Sequence, residues 1–313
     1  NSIGRIFAIF AGIVTGILLP LVRQSLGGWA TTVIVLSILS AAMMIPMCLF
    51  AKERVIEREK ARDGGAEENY TLRDMVECLR SNKYLLIFFA APLINSLLNV
   101  GATWGLYIAR YCLGGEEIAS FVSMAVIVPT LIGAAIAVQL CKKYDKFKIF
   151  YFSYMFALIL GIVRYIAGYE NMMVYVILNA LGGFPLGIAA ILQYQFTPDC
   201  YEYGQYKTGL KMRGVTFAAQ TFFTKLNGAI ATAVSVFALT LIGFKEGEGV
   251  IQAAGFADKL WTFSCLGSII GGIGTLLILR LYKLNDHDVQ LMSKCNNGEI
   301  TREEAEAQMI NRY

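Results

Sequence analysis

Four polar side chains lie close together in an otherwise apolar run that begins at Gly214. They are Gln220, Thr221, Thr224 and Lys225, and their spacing of i, i+1, i+4 and i+5 places them on one face of an α-helix. Counted from Gly214, Lys225 lies about 17 Å along that helix, which puts its ammonium group near the middle of a bilayer. A lysine at that depth costs at least about 2.5 kcal/mol by insertion scales, so its presence indicates a function.

The chemistry of these groups suits a polyhydroxylated ligand. Hydroxyl groups of a ligand both donate and accept hydrogen bonds, and an amide, two threonine hydroxyls and an ammonium group supply complementary partners. The alternative is a polar contact between helices, in which Lys225 pairs with a carboxylate elsewhere in the chain. The pattern leaves both interpretations open.

The segment Asp199 to Arg213, just before this helix, is dense in charge and interrupted by two glycines. It is predicted to be a loop between two helices. Charges of both signs in such a loop can form ion pairs that hold one conformation and release in another, so we consider a gate beside the alternative of a solvated loop. The residues concerned are Asp199, Glu202, Tyr203, Gly204, Lys207, Gly209, Lys211 and Arg213.

Other polar residues of the apolar runs are weaker candidates. Arg5 could contact a ligand or extend to the membrane surface, and Arg164, near the outer end of its run, is expected to extend outward. Asn95 and Asn99 share a helical face and could line a cavity or join two helices. Tyr107 could stack on a sugar ring, as could Trp104, although aromatic residues also form belts at the membrane interface. Gln193 is a further candidate for lining a cavity.

The elements that position these residues are predicted to be membrane-spanning helices. The chain has 313 residues, of which 56% are hydrophobic and 16% charged, whereas soluble domains carry about 25% charged residues. The fold class is therefore an all-α membrane protein, a polytopic helical bundle. The eight apolar runs are Gly4 to Val22, Trp29 to Ala51, Tyr84 to Ala109, Ile118 to Cys141, Ile149 to Gly168, Met172 to Phe196, Gly214 to Phe244 and Lys259 to Leu281.

Charge in the loops predicts the orientation and the domains. Lysine and arginine are concentrated in every second loop, which places those loops and the C-terminus in the cytoplasm. The chain divides into two helices (1–51), a middle loop (52–83), a six-helix bundle (84–283) and a tail (284–313). In the middle loop, Thr71 and Asp74 form a predicted capping box that begins a short amphipathic helix. In the tail, a short helix is predicted over Thr301 to Ile310.

Several function classes are excluded or disfavoured. A net charge of +4 is too small to indicate a nucleic-acid partner. The seven cysteines occur singly, with no CxxC pair, and the single histidine, His287, is in the polar tail, so no metal site is predicted. A membrane-embedded transferase is a rival, but the DxD pair Asp286 and Asp288 also lies in the tail. We therefore expect that the chain is not an enzyme.

The charged segment and the following helix resemble the glycoside-pentoside-hexuronide:cation symporter family of the major facilitator superfamily. That family has D-x-x-[DE]-Y-G-x-x-K-x-G-x-R-x-E before its eleventh helix, which Asp199, Glu202, Tyr203, Gly204, Lys207 and Gly209 match. Lys211 stands where arginine is usual, and Arg213 replaces an acidic residue and so reverses a charge. Gln220, Thr221 and Lys225 match the Q-T-x-x-x-K of the eleventh helix, and Arg5 matches the arginine that opens the fifth helix.

The resemblance implies a secondary active transporter that carries a sugar with a cation, Na⁺ or H⁺, across the cytoplasmic membrane of a bacterium by alternating access. Arg5, Gln220, Thr221, Thr224 and Lys225 would then contact the substrate, and Lys225 would also couple to the cation. No cofactor is expected besides the coupling cation, and the partners are the saccharide and membrane lipid. A sugar sensor or scaffold with the same fold that does not transport is the alternative.

The resemblance also gives the chain's position within the family fold. The eight runs look like helices five to twelve of a twelve-helix transporter. The first four helices, which in the family hold the aspartates of the cation site, would then be missing here, either on a partner chain or in a preceding segment. We therefore expect no complete cation site in this chain.

Overall fold

The computed structural model describes residues 29–50, 72–211, 213–247 and 250–313. Within these ranges the chain consists of helices joined by turns, without strands, and the predicted all-α class is confirmed. The helices are α1 (Trp29–Phe50), α2 (Leu72–Ser81), α3 (Lys83–Leu98), α4 (Gly105–Cys112), α5 (Glu117–Leu140), α6 (Lys146–Ala167), α7 (Met172–Leu192), α8 (Phe196–Thr208), α9 (Arg213–Leu241), α10 (Phe256–Leu279), α11 (Asp286–Asn296) and α12 (Arg302–Gln308).

Five of these helices are long and apolar enough to cross a membrane: α5, α6, α7 with its continuation α8, α9 and α10. The bent pair α2 and α3 makes a sixth if it counts as one span. Large apolar side chains are exposed on these helices, as Ile166 on α6 is by 79% and Leu241 on α9 by 68%. Such surfaces are stable against lipid and unstable in water, which agrees with a polytopic membrane protein. The first predicted run, Gly4 to Val22, lies outside the described residues.

The prediction of one continuous span over Tyr84 to Ala109 is wrong. The helix ends at Leu98 and restarts at Gly105, because the turn between them packs closely against α10. A Cβ atom on Gly101 would lie 2.5 Å from the Cα atom of Ser264, so only glycine fits there. The turn buries Trp104 completely, and its indole Nε1 donates to the carbonyl oxygen of Ser235 at 3.1 Å. Trp104 therefore neither joins an interfacial belt nor offers a surface for a sugar.

Glycines bring the helices of the bundle into close contact. On α10, Gly267 and Gly271 face the end of α3, where a Cβ on Gly267 would lie 3.0 Å from the carbonyl oxygen of Leu98. The largest interface joins α5 and α7, and it too depends on glycine. A Cβ on Gly187 would lie 2.0 Å from the carbonyl oxygen of Thr130. Helix association in lipid depends on such close packing of small residues, because water provides no driving force there.

The tail folds back onto the bundle instead of extending into solvent. The helix predicted over Thr301 to Ile310 is present as α12, and Thr301 begins it with a capping box. Helix α11 was not predicted. Its Asp288 is fully buried and accepts hydrogen bonds from the backbone N–H groups of Ile310 and Asn311, at 2.9 and 3.1 Å, and from the Tyr313 phenol at 2.8 Å. Burial raises the pKa of Asp288, but these bonds outweigh burial and hold the pKa below its ordinary value.

Candidate functional site

The polar strip identified in the sequence lies on α9 and becomes exposed along its length. Gln220 is buried, whereas Thr221, Thr224 and Lys225 are exposed among the described residues. The Thr221 hydroxyl donates to the carbonyl oxygen of Phe217 at 3.1 Å, and the Thr224 hydroxyl donates to that of Gln220 at 2.8 Å. Because both hydroxyl protons are used within the helix, the two oxygens face outward as acceptors.

Helices α9 and α3 contact each other through residues other than Lys225. Phe223 stacks on Phe89 with ring centroids 4.5 Å apart, and the Ser96 hydroxyl donates to the Asn227 Oδ1 at 2.6 Å. Within the described part of the chain, no carboxylate forms an ion pair with Lys225. Ser96 and Asn227 thus form a polar contact between these helices, and Lys225 lies on the exposed face of α9.

The charged segment before α9 is not the loop that the sequence predicted. Helix α8 runs to Thr208, and the connection to α9 is short, beginning at Gly209, whose φ of +74° ends the helix in the left-handed region that favours glycine. The buried residues Phe196, Cys200 and Tyr203 have the i, i+4, i+7 spacing of one helical face. That spacing predicts a helix, but it is hard to recognise in the sequence because charged residues surround the three apolar ones.

An ion cluster joins three segments at the end of the bundle where α6 begins. The Lys146 Nζ lies 2.7 and 2.9 Å from the two carboxylate oxygens of Asp199 on α8, and 3.1 Å from Asp286 Oδ1 on α11. Asp286 also accepts from the backbone N–H of Lys146 at 2.8 Å. The side chains are only 12–27% exposed, so solvent screens these attractions less than at a free surface. The sequence singled out Asp199 and, as part of a DxD pair, Asp286, but it did not predict that Lys146 joins them.

The remaining charged and aromatic residues of the segment pack at the same end. Glu202 accepts a hydrogen bond from the Asn296 amide of α11 at 2.9 Å, and Tyr203 packs edge-on against Tyr84 at 4.7 Å. A Cβ on Gly204 would lie 2.8 Å from the Asn82 amide nitrogen, so this glycine permits close contact with the start of α3. Lys207 is exposed, whereas Lys211 and Arg213 line a cavity of about 520 Å³ together with Glu202.

A second cavity, of about 430 Å³, is lined by residues of α3, α5, α6, α7 and α10. Asn95 and Asn99 both line it. Arg164, which the sequence predicts to extend to the membrane surface, also lines this cavity, and its Nε is buried. The polar residues of its wall are Asn95, Asn99, Ser153, Tyr154, Arg164, Asn179 and Ser268.

The other candidates lie elsewhere. Tyr107 packs edge-on against Phe244 with ring centroids 5.3 Å apart and does not line the 430 Å³ cavity. Gln193 borders a void of about 10 Å³, large enough for about one water molecule. Arg5 lies outside the described residues. Among the described residues, no group of three histidine, cysteine or acidic side chains could hold a metal ion.

Comparison with known proteins relates the chain to sugar transporters and symporters. A family model described as MFS/sugar transport protein matches residues 1–286. The putative glycoside/cation symporter YagG of Escherichia coli is 24% identical over 301 residues, which are 93% of this chain and 63% of that protein. The uncharacterized symporter YnaJ of Bacillus subtilis is 24% identical over 270 residues, 81% of this chain and 56% of that protein.

A putative sulfoquinovose importer of Escherichia coli is 22% identical over 244 residues, 75% of this chain and 51% of that protein. The chain thus spans from about half to just under two thirds of the length of these curated relatives. These relatives are described as symporters or importers, which supports the expectation that the chain is not an enzyme. With its apolar helices, the chain is a multi-pass membrane protein.

Proposed function

The chain belongs to the MFS/sugar transport protein family, and on this premise we propose that it takes part in the symport of a saccharide with Na⁺ or H⁺ across the cytoplasmic membrane. The substrate is a glycoside or a related sugar, and no bond in it breaks. Two helix bundles rock about a site at the membrane midplane, so that the site opens to each side in turn. The family match over residues 1–286 is the observation that carries this proposal.

The open face of α9 forms one wall of the proposed pathway. Gln220 and the outward oxygens of Thr221 and Thr224 hydrogen-bond the hydroxyl groups of the sugar, together with Arg5. Lys225 balances charge between the sugar and the coupling cation. The proposal is supported by the exposure of Lys225 and by the absence of an acidic partner for it among the described residues.

The ion cluster of Lys146, Asp199 and Asp286 contributes to closing the cytoplasmic end. It ties the start of α6 to α8 and α11, and all three meet at the end of the bundle that carries the basic loop 142–148. Positive charge in short loops favours the cytoplasmic side, which orients this end and the C-terminus inward. Partly buried ion pairs of this kind stabilise one packing of helices and separate in another.

The test is uptake by the purified protein in proteoliposomes. Labelled methyl β-galactoside, methyl β-xyloside and glucuronate are supplied under an imposed Na⁺ gradient, an imposed pH gradient or neither. We expect gradient-driven accumulation of at least one of these probes. Lys225→Ala is expected to reduce it by about 10- to 100-fold, because a hydrogen bond from a charged group contributes about 1.5–3 kcal/mol.

The matched control is Lys245→Ala, which removes the same charge from an exposed residue beyond the end of α9. It should transport as the wild type does. Undiminished uptake by Lys225→Ala at equal protein content would remove Lys225 from the mechanism. Binding of a probe without flux under any gradient would favour the sugar sensor or scaffold over a transporter.

A further inference from the structure

The 430 Å³ cavity inside the bundle is separate from the polar strip on α9. None of Gln220, Thr221, Thr224 and Lys225 lines it. Its wall on α6 extends from Ser153 to Arg164, eleven residues or about 16 Å along the helix axis. The volume lies in the range of about 300–1,000 Å³ that is typical of sites for small molecules, and most of the wall is apolar with a few converging polar groups.

The cavity wall carries a positive charge but no negative charge that would neutralise it. Arg164 supplies a guanidinium group, and no aspartate or glutamate is among the lining residues. The buried Nε of Arg164 has no hydrogen-bond partner among the described residues. Arg164 is partly buried. A cation that faces the interior of a membrane bundle is unfavourable unless it is paired, so a counter-charge is expected at this position.

The groups around Arg164 indicate what carries that counter-charge. The Asn99 Oδ1 is also buried without a partner, and Asn95 lines the cavity one helical turn away. A guanidinium group presents a planar fork of donors that matches the oxygens of a carboxylate, sulfonate or phosphate group. An unpaired amide oxygen on the wall of the same cavity favours a ligand that also carries a donor, such as a hydroxyl group.

We propose that this cavity binds a small hydroxylated molecule bearing one oxyanion group, with the oxyanion on Arg164. The hydroxyl groups meet the asparagine amides, and the carbon skeleton lies against the apolar wall. The anion is either a soluble molecule or a lipid headgroup, and the two sources share this chemistry. The site is additional to the sugar pathway along α9 and does not depend on it.

The test is thermal unfolding of the purified protein in phosphatidylcholine nanodiscs. Glucuronate and glycerol 3-phosphate are compared with their uncharged counterparts glucose and glycerol, with sodium chloride added to equal ionic strength. At about ten times the dissociation constant, an oxyanion is expected to raise Tm by about 2 °C, and the uncharged probes and chloride by much less. In a separate arm, part of the lipid is replaced by phosphatidylglycerol.

Two variants remove the site in different ways. Arg164→Gln removes the cation, and Gly182→Leu fills the cavity, since a Cβ on Gly182 meets no atom within 4 Å and the added side chain has room. Both should abolish the stabilisation. Arg110→Gln is the matched control, because it removes an arginine that is half exposed and paired with Glu116, and it should keep the full shift.

The outcomes decide the proposal and the source of the anion. A shift with glucuronate or glycerol 3-phosphate that both variants lose supports a soluble ligand. A shift with phosphatidylglycerol alone that both variants lose supports a lipid headgroup. The proposal is overturned if no oxyanion stabilises the wild type, if chloride does so equally, or if either folded variant keeps the shift. Loss of sugar transport in Lys225→Ala has no bearing on this result, so the two proposals fail separately.

Discussion

The contact between α5 and α7 predicts that Gly187→Ala destabilises the bundle although alanine is the better helix former. The added Cβ would lie 2.0 Å from the carbonyl oxygen of Thr130 and 2.9 Å from the backbone nitrogen of Ala134, whereas ordinary contacts begin at 3.4 Å. Both neighbours are backbone atoms and cannot rotate away. The helices must therefore separate by more than 1 Å at this point.

The magnitude follows from two opposing terms. Separation also loosens the neighbouring contacts at Gly133 and Gly183, and a gap of 0.5–1 Å forfeits about a quarter to a half of each dispersion contact. Overpacking of this kind costs about 1–3 kcal/mol, and the backbone clash places Gly187→Ala near the upper end. Alanine is more stable than glycine within a helix by about 0.5–1 kcal/mol, and this gain offsets part of the cost of overpacking. The expected net loss is about 2 kcal/mol.

The assay is reversible unfolding in mixed micelles of dodecyl maltoside and dodecyl sulfate, followed by tryptophan fluorescence. Gly182→Ala on the same helix is the control, because a Cβ there meets no atom within 4 Å and only the gain in helix propensity remains. The free energies of unfolding of the two variants should differ by about 2–3 kcal/mol. If Gly187→Ala is as stable as Gly182→Ala, the close approach of α5 and α7 is incorrect.

Two further predictions concern the end of the bundle where α6 begins. Asp199→Asn should lower the free energy of unfolding by about 1.5–3 kcal/mol, because Lys146 loses a partly buried charged partner. Glu170→Gln, at an exposed residue, is the control. If Asp199→Asn destabilises the protein no more than this control does, the ion cluster does not contribute to stability. Asp288 has a lowered pKa in the folded protein, so its stabilisation of the tail is fully present above the unfolded pKa and is lost as the pH falls below about 4. Proteolysis of the tail should accelerate below that pH and not between pH 7 and pH 5, and release at pH 6 would contradict the assignment.

The sequence predicted well what depends on local composition. Apolar runs of spanning length are located by counting residues, and those beginning near Ile118, Ile149, Met172, Gly214 and Lys259 each correspond to a helix. The cap at Thr301 is likewise a local pattern, and the structure contains it. The strip of polar residues on α9 follows from helical spacing alone, whereas its role in binding stays a prediction.

The sequence failed where the deciding contact lies far away in the chain. The break after Leu98 exists because the turn at Gly101 packs against Ser264 and Trp104 donates to the carbonyl of Ser235, and neither partner is recognisable from the run itself. The charges of α8 predict a solvated loop when the sequence is considered alone, whereas in the structure Asp199 is partly buried against Lys146.

The amino-acid sequence thus determined that this chain is a set of membrane-spanning helices with a lysine and its polar neighbours on one of them, because the hydrophobic length and the helical period are properties of short segments. Only the tertiary structure decided which polar groups are paired and which are not. It joined Asp199 to Lys146 and left the Arg164 Nε without a hydrogen-bond partner on the wall of a cavity. In a medium without water, a polar group is satisfied only by whatever the packing of distant helices brings within hydrogen-bond distance.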